Sequence, residues 1–293
     1  MSVPAWLKAM RPEQWSKNAL VGAAWFFAKG DHTQTLPEHA ALRAGTAIFF
    51  FCLMSSAVYL MNDLKDRELD RKHPRKRNRP IASGKVTGQQ AILLATLLAA
   101  LALGGALLIA PALSLVLAGY LILQVAYTFW LKTIPLVDVI VLASGFVLRA
   151  YAGAVVIPVP ASPWLMLCTF LLAFFLALCK RRHEKSVLSL QEDEARPSLR
   201  GIDGKTLDRF IDVIIALNIL TYALYSLAPE SVEKFGDHRM VLTLPWVVYG
   251  LLRYRRQVRK HQKGGQPEKQ LFCDPQMILS YLGYLITLWM IFQ

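Results

Sequence analysis

Long apolar stretches alternate with short charged blocks along this chain, and the alternation limits the folds open to it. Several stretches approach the roughly 20 apolar residues that a helix needs to cross a bilayer, and charged residues make up only 18% of the 293 residues. Unpaired backbone groups are excluded from the bilayer core, so such stretches cross it as helices. The pattern predicts an all-α polytopic membrane protein, with a single intramembrane domain over residues 1–293.

Nine spans account for the alternation. We predict them at about 19–28, 42–61, 89–109, from the turn at Pro111 to 131, 136–157, 164–178, 210–227, from the outer loop at 230–239 to 252, and from the end of the basic loop 253–274 to 292. We expect these transmembrane helices to form a bundle around a central cavity that opens to the cytoplasmic face.

The basic residues indicate how the chain is oriented. Most of the 33 Lys and Arg residues lie in alternate connections, at 8–17, 65–85, 180–209 and 253–269, with Lys132 in a further one. Short loops rich in Lys and Arg stay in the cytoplasm, so we predict a multi-pass protein of the cell inner (plasma) membrane. The net charge of +13 then reflects topology, and without a recognisable binding motif no nucleic-acid partner is expected.

Cysteine spacing excludes two further classes of site. The four cysteines, Cys52, Cys168, Cys179 and Cys273, lie in or beside apolar segments and form no CxxC pair. Neither a disulfide framework nor a zinc site is therefore expected, and the thiols are predicted to be core residues.

An acidic motif follows the second span directly, within NDLKDRELDRKHPRKRNRPIASG at 62–84. Asp63, Asp66 and Asp70 stand at i, i+3 and i+7, so they share one face if the helix continues. Carboxylate and amide oxygens suit Mg²⁺, which is often shared between one or two carboxylates and substrate phosphates. We predict a magnesium site on the three aspartates, with the Asn62 amide beside it.

Two ordinary explanations compete with this site. The acids of a solvated helix end would pair with Lys65, Arg67 and Arg71, and the basic run that follows would serve only to keep the loop in the cytoplasm. Beside a metal, however, guanidinium groups bind the oxygens of a diphosphate bidentately. Arg77 and Arg79 are the predicted anion ligands, because the turn that follows them fixes their direction.

Ionisable residues also lie within or at the ends of spans, where they are functional candidates by default. Asp138 is near the inner end of the fifth span, where a capping role is the alternative, and Arg149 is about three turns deeper. Arg149 would either pair with a carboxylate or carbonyls or bind an anionic lipid head, and the sequence leaves both open. Lys180, Arg181 and Glu184 end the sixth span, where snorkelling is ordinary, and we include them because they face the same inner mouth.

Together these motifs resemble the UbiA-type intramembrane prenyltransferase superfamily. The resemblance is carried by RPEQWSKN at 11–18, NDxxDxxxD at 62–70, DVIVLASGFVLRAYAG at 138–153 and KRR with Glu184 at 180–184. Within the superfamily these motifs are most similar to the decaprenyl-phosphate phosphoribosyltransferases. The second DxxxD motif that is usual in prenyltransferases is missing, because Leu142 stands four residues after Asp138.

The resemblance implies a Mg²⁺-dependent enzyme that transfers 5-phosphoribose from phosphoribosyl diphosphate to a polyprenyl phosphate lipid, such as decaprenyl phosphate, and releases diphosphate. It implies that Asp63, Asp66 and Asp70 are catalytic and hold the metal. It assigns substrate binding to Lys17, Asn18, Asn62, Arg77, Arg79, Tyr127, Lys132, Asp138, Arg149, Lys180, Arg181 and Glu184.

Two other functions remain open at this point. An aromatic prenyltransferase would use the same magnesium site to move a prenyl group from its diphosphate to an acceptor such as 4-hydroxybenzoate. A transporter or lipid-binding scaffold is the third, although acids and bases gathered at the inner face do not resemble midplane transport sites. A homo-oligomer is compatible with the sequence.

Overall fold

The computed structural model describes residues 4–74, 76–188, 198, 202–261 and 274–293. Its helices are α1 (Ala5–Ala9), α2 (Ala23–Lys29), α3 (Ala40–Lys65), α4 (Arg67–Lys72), α5 (Gly88–Ile109), α6 (Pro111–Phe129), α7 (Val137–Val156), α8 (Pro163–Leu188), α9 (Gly204–Leu227), α10 (Pro229–Phe235), α11 (Leu244–His261) and α12 (Pro275–Ile291). Segments of 3₁₀ helix lie at Pro12–Gly22, Lys76–Asn78, Leu131–Thr133 and His238–Thr243. These residues include no strand, which confirms the all-α class.

Among the described residues, six helices are long and apolar enough to cross a membrane, namely α3, α5, α6, α7, α8 over Pro163–Lys185, and α9. The last helix, α12, is a shorter apolar helix of 17 residues. The predicted first span is a 3₁₀ segment followed by the short α2, and the predicted eighth covers the end of the 3₁₀ segment His238–Thr243 and the first part of α11. The polytopic membrane class is confirmed, while the count of nine, the cavity and its cytoplasmic opening stay predictions.

The chain divides into two compact units. Unit 1 comprises Met1–Trp25, Leu36–Leu131 and Leu148–Ala161, and unit 2 comprises Phe26–Thr35, Lys132–Val147 and Ser162–Gln293. Helix α7 therefore contributes its first part to unit 2 and its second part to unit 1. The prediction of one domain over the whole chain stays a prediction.

In unit 1, α3 packs against α5, α6 and the first 3₁₀ segment. Ala102 and Ala106 of α5 are fully buried in a core with Phe51 of α3, because small residues let two membrane helices approach closely. Leu93 and Leu108 of α5 are exposed, as expected for a face that meets lipid. The face of α5 that carries the small residues therefore packs against α3, and the large leucines lie on its exposed face.

In unit 2, α8 packs against α9, and α11 packs against α9 and α12. Phe175 of α8 and Tyr254 of α11 are almost fully buried, and their rings meet edge to face with centroids 5.5 Å apart. Asp203 caps α9 by accepting a 2.8 Å hydrogen bond from the backbone N–H of Thr206. Capping satisfies a backbone donor that the first turn of a helix leaves unpaired.

The start of α12 is held by Asp274. Its Oδ1 accepts a 2.9 Å hydrogen bond from the backbone N–H of Met277, and its Oδ2 accepts a 2.7 Å hydrogen bond from Nη2 of Arg253 in α11. The Arg253 guanidinium and the backbone donor of Met277 hold the pKa of Asp274 below its usual value. Ionised Asp274 therefore caps α12 and ties it to α11.

Replacing Asp274 with alanine should lower stability at neutral pH by about 1 kcal/mol, the usual worth of a helix N-cap. Because the pKa of Asp274 is lowered on folding, its contribution is fully present above the pKa of the unfolded chain and is lost as the pH falls through the lower folded-state pKa. The Tm difference between wild type and Asp274→Ala in detergent should shrink on acidification. A difference that is constant with pH would contradict this role.

Candidate active site

The three aspartates of the acidic motif do not lie on one continuous helix. Helix α3 ends at Lys65, Asp66 leaves the helical region with φ −90° and ψ 5°, and α4 begins at Arg67. The backbone N–H of Asp70 donates to the carbonyl of Asp66 at 2.8 Å, which closes the turn. The three aspartates therefore do not share one helical face as expected, because the helix is interrupted at Asp66. Aspartate side chains can hydrogen-bond to nearby backbone groups, which competes with the hydrogen bonds of a helix.

Asp63 and Asp70 form a carboxylate pair, and each residue is only 3% exposed. One nitrogen atom, Nη1 of Arg79, donates to both, to Asp63 Oδ1 at 3.2 Å and to Asp70 Oδ2 at 2.6 Å. Arg11 Nη2 also donates to Asp63 Oδ1, and Lys76 Nζ lies 4.0 Å from Asp70 Oδ1. Cations from two other parts of unit 1 thus neutralise the carboxylate pair.

The basic residues next to the acids in sequence have other contacts. Lys65 lies over the ring of Phe129, 5.2 Å from its centroid. Arg71 Nη1 donates to Glu68 Oε1 at 2.9 Å, and Arg67 Nε lies 3.8 Å from the same oxygen. A solvated helix end neutralised by its own neighbours therefore does not describe the carboxylate pair.

The carboxylate pair has a donor set that fits Mg²⁺. Arg79 Nη1 already places a positive group in contact with both acids, and a metal ion in that place would have Asp63 and Asp70 as its protein ligands. Within the described ranges, no group of three or more His, Cys, Asp or Glu side chains is placed to hold a metal ion. Proteins nevertheless usually bind Mg²⁺ through only one or two carboxylates, and water molecules and substrate phosphates supply its other ligands. Asp66 as a third ligand stays a prediction.

Arg11 belongs to this site, although we did not predict it as a site residue. It has a left-handed backbone conformation, with φ 55° and ψ 60°, which is uncommon for a residue other than glycine. From there its guanidinium contacts Asp63 and lies 5.1 Å from the ring centroid of Tyr59. Arg11 opens the RPEQWSKN motif, so the motif contained it, but only the fold joins residues 52 positions apart.

The 3₁₀ segment Pro12–Gly22 links this site to the interior of unit 1. Its length of 11 residues is unusual, since most 3₁₀ runs stop after about 3–4 residues. Trp15 Nε1 donates to Ser56 Oγ at 3.0 Å, and Asn18 Nδ2 donates to Ser55 Oγ at 3.1 Å. Both serines are on α3, about two turns before Asp63 in sequence. The segment therefore lies along the helix that carries Asp63.

Arg149 of α7 is buried in unit 1 and is held by neutral groups from two other elements. Its Nε donates to Asn18 Oδ1 at 2.9 Å, and its Nη2 donates to the Tyr120 hydroxyl at 2.8 Å. The guanidinium also lies 4.9 Å from the ring centroid of Tyr120. These contacts orient the guanidinium, and they bring together predicted residues Asn18 and Arg149 with Tyr120, which the sequence did not indicate.

Four other predicted residues lie in unit 1. Asn62 is in the last turn of α3 and its carbonyl accepts from the backbone N–H of Asp66 at 2.9 Å. Arg77 is exposed in the 3₁₀ segment Lys76–Asn78. Lys17 and Tyr127 are partly buried, and Tyr127 is seven residues from Tyr120 on α6. The roles of these four residues in substrate binding stay predictions.

A second charged group lies in unit 2. Arg181 of α8 donates from Nε to Asp138 Oδ2 of α7 at 2.6 Å, and both side chains are 2% exposed. Arg181 Nη1 also donates to Glu184 Oε2 at 2.7 Å, and Ser198 Oγ donates to Asp138 Oδ2 at 3.1 Å. Asp138 is thus a buried ion-pair partner rather than an exposed cap.

The remaining predicted residues of unit 2 are Lys132, in the 3₁₀ segment Leu131–Thr133, and Lys180, in α8, and both are partly buried. Cys52 and Cys179 are buried, as expected for core thiols, and Cys168 is partly buried. Arg75 and Cys273 lie outside the described residues.

Comparison with known proteins agrees with the resemblance seen in the motifs. A sequence model of the UbiA prenyltransferase family matches residues 19–274. The decaprenyl-phosphate phosphoribosyltransferase of Mycobacterium tuberculosis (strain ATCC 25618 / H37Rv) is 34% identical over 282 residues, which are 96% of this chain and 92% of the relative. The enzyme of the same name from Mycolicibacterium smegmatis is 32% identical over 290 residues, 96% of this chain and 90% of the relative.

Among solved structures, a UbiA homologue from Archaeoglobus fulgidus bound to GPP and Mg²⁺ is similar to this chain. The TM-score is 0.73 at 21% sequence identity, and the match covers 98% of this chain and 99% of the homologue. At this identity the likeness shows a shared fold.

Proposed function

The chain belongs to the UbiA prenyltransferase family, and from this we propose that it transfers 5-phosphoribose from phosphoribosyl diphosphate to decaprenyl phosphate or a similar polyprenyl phosphate. The observation that carries the proposal is identity to decaprenyl-phosphate phosphoribosyltransferases along nearly the whole chain. Leu142, where ordinary prenyltransferases have the last aspartate of a DxxxD motif, supports the same choice. The enzyme is then a pentosyltransferase of the cell membrane.

The donor diphosphate is proposed to bind at the carboxylate pair of unit 1. Asp63 and Asp70, with Asp66 as a further candidate, would hold Mg²⁺, whose bound charge would stabilise the leaving diphosphate. A UbiA homologue of the same fold contains Mg²⁺. Arg79 and Arg11 already contact these carboxylates, so their guanidinium groups are close enough to share in binding phosphate oxygens.

The chemistry is a substitution at C1 of ribose. The bond from C1 to the diphosphate oxygen breaks, and an oxygen of the lipid phosphate forms the new bond to C1. Positive charge develops on the ribose in between, as its bond to the diphosphate oxygen breaks. A phosphate monoester is already anionic near neutral pH, so the chain does not need a strong general base. Lys17 and Arg77 are proposed to bind the diphosphate, and Asn62 and Tyr127 the sugar.

The phosphate of the acceptor lipid is proposed to bind Arg149. Its buried position within a spanning helix suits the head of a membrane lipid, and Asn18 and Tyr120 hold its guanidinium in a fixed direction. Lys132, Lys180 and Glu184 stay proposed substrate-binding residues. Arg181 and Asp138 neutralise each other in unit 2, and we propose that their main role is to hold α7 and α8 together.

The protein is a multi-pass membrane protein by its six apolar helices and its family. We propose that it resides in the inner (plasma) membrane with the carboxylate pair toward the cytoplasm. The basic stretch around the pair supports this orientation through the excess of Lys and Arg in cytoplasmic loops. A homo-oligomer stays a proposal, and the oligomeric state is left to measurement.

A substrate-pair assay tests the proposed function. Purified protein with Mg²⁺ is given radiolabelled phosphoribosyl diphosphate with decaprenyl phosphate, and in a second vessel radiolabelled geranyl diphosphate with 4-hydroxybenzoate. We expect label in the lipid product of the first vessel only. Label transferred only in the second vessel would identify an aromatic prenyltransferase and overturn the proposal.

The metal site has a test that does not depend on activity. Arg79→Gln removes the positive group that contacts both buried acids, so Mg²⁺ should stabilise this variant more than wild type, by about 1–2 kcal/mol at a concentration well above its Kd. Tm is measured in detergent with and without Mg²⁺. Arg71→Gln is the matched control, because Arg71 contacts the exposed Glu68. Equal Mg²⁺ shifts in all three proteins would contradict a metal site at the carboxylate pair.

A further inference from the structure

Gly153 of α7 lies where two stretches of backbone in unit 1 come into direct contact. A methyl group on its Cα would overlap the carbonyl oxygen of Val21, at the end of the 3₁₀ segment Pro12–Gly22, and would lie 3.3 Å from Cβ of Ala24. The adjacent Ala152 and Ala154 are 0% and 1% exposed. Only glycine fits this contact, because a backbone carbonyl has no side-chain rotation by which to give way.

The contact lies one turn from the hydrogen bond that orients Arg149. Arg149 is four residues before Gly153 on α7, and Asn18 is three residues before Val21 on the 3₁₀ segment. The close approach of Gly153 and Val21 thus sets the separation across which Arg149 Nε reaches Asn18 Oδ1 at 2.9 Å. Asn18 is itself 0% exposed and tied to Ser55 on α3, so it cannot follow α7 if that helix moves away.

We propose that Gly153 is a positioning residue for the acceptor: by letting α7 touch the 3₁₀ segment, it keeps Arg149 bonded to Asn18 and aimed at the anionic head of the lipid. This inference rests on the proposed function, because it takes Arg149 as the ligand of the acceptor phosphate. Pushing α7 outward changes the direction of the guanidinium while leaving the carboxylate pair of unit 1 in place. The effect therefore falls on the acceptor and not on the donor.

The substitution Gly153→Ala tests the proposal through the two KM values. We expect the KM for decaprenyl phosphate to rise about tenfold, as for loss of one hydrogen bond to a charged group, and the KM for phosphoribosyl diphosphate to change less than about twofold. Gly119→Ala is the first control, since a methyl group there meets nothing within 4 Å. It should leave both KM values unchanged.

A second control separates positioning from packing. At Gly105 of α5 a methyl group would overlap the ring of Phe50, so Gly105→Ala disturbs a helix contact of unit 1 that does not involve Arg149. We expect Gly105→Ala to lower Tm without raising the acceptor KM selectively. The proposal is overturned if Gly105→Ala and Gly153→Ala give the same kinetic pattern.

A double-mutant cycle with Asn18→Ala identifies the contact through which Gly153 acts. If Gly153 serves to hold the bond between Arg149 and Asn18, the double variant should have an acceptor KM no higher than the larger of the two single variants. Multiplied effects would overturn the proposal. Should Gly153→Ala yield no folded protein, Asn18→Ala decides: a selective rise in acceptor KM supports the proposal, and an unchanged value overturns it.

The proposed function and the role of Gly153 fail in different ways. Wild-type protein that transfers no phosphoribose contradicts the proposed function. Wild-type protein that does transfer it, with the ratio of the two KM values unchanged in Gly153→Ala, overturns the positioning role alone.

Discussion

Asp63→Asn should lower kcat/KM for phosphoribosyl transfer by at least about a hundredfold, the loss seen when one group that stabilises transition-state charge is removed. Asp63 is buried and contacts both Arg79 and Arg11, so the amide takes one carboxylate from the proposed metal ligands and one partner from both arginines. Asparagine has the same shape as aspartate, which keeps packing at the end of α3 intact. The rate is measured with radiolabelled phosphoribosyl diphosphate and decaprenyl phosphate.

Glu68→Gln is the matched control for this prediction. Glu68 is in α4, between Asp63 and Asp70 in sequence, but its side chain is 74% exposed and contacts Arg71. The same change from carboxylate to amide should therefore leave kcat/KM within about twofold of wild type, since exposed ion pairs contribute little. If Asp63→Asn and Glu68→Gln have the same rate, negative charge at Asp63 has no special part in transfer.

Asp138→Asn should destabilise the fold by about 3–5 kcal/mol, the usual loss when one partner of a buried ion pair is removed. The change leaves Arg181, which is 2% exposed, without its full counter-charge in the interior of unit 2. Glu184 still contacts Arg181 but is more exposed, so it offsets only part of the loss. The measurement is Tm in detergent, with kcat/KM determined at a temperature where the variant is folded.

Arg182→Gln provides the comparison for Asp138→Asn. Arg182 follows Arg181 in α8, and its ion pair with Asp208 is only partly buried, at 29% and 24% exposure. Its replacement should change stability by less than about 1 kcal/mol. If folded Asp138→Asn has a near-normal Tm but a greatly raised KM for one substrate, Asp138 binds substrate and the proposed structural role of the pair is wrong.

Fold class was predictable from sequence because the bilayer restricts what an apolar segment can do. Six of the predicted spans are continuous apolar runs, and they correspond to helices α3, α5, α6, α7, α8 and α9. The positions of these helices along the chain follow from hydropathy. The first predicted span was different, since its apolar run of 19–28 is too short and the segment forms a 3₁₀ helix followed by α2. The length of an apolar run, more than its polarity, therefore decided whether a predicted span forms one long helix.

The acids of the site were predictable because their spacing is local. The two aspartates of the carboxylate pair are seven positions apart, whereas Arg11 contacts Asp63 from 52 residues away and Tyr120 contacts Arg149 from 29 residues away. No periodic pattern connects such positions, so the sequence did not indicate either residue. Asp138 and Arg181, 43 residues apart, were predicted one by one as substrate ligands, and only the fold reveals that they bind each other.

Product identity in one competition reaction distinguishes phosphoribosyl transfer from aromatic prenylation. Purified wild-type protein with Mg²⁺ receives phosphoribosyl diphosphate, decaprenyl phosphate, geranyl diphosphate and 4-hydroxybenzoate together, and the lipid products are identified by mass. We expect a single new product, decaprenyl phosphate carrying one phosphoribosyl group, with release of diphosphate. A geranylated hydroxybenzoate with decaprenyl phosphate left unchanged would contradict it.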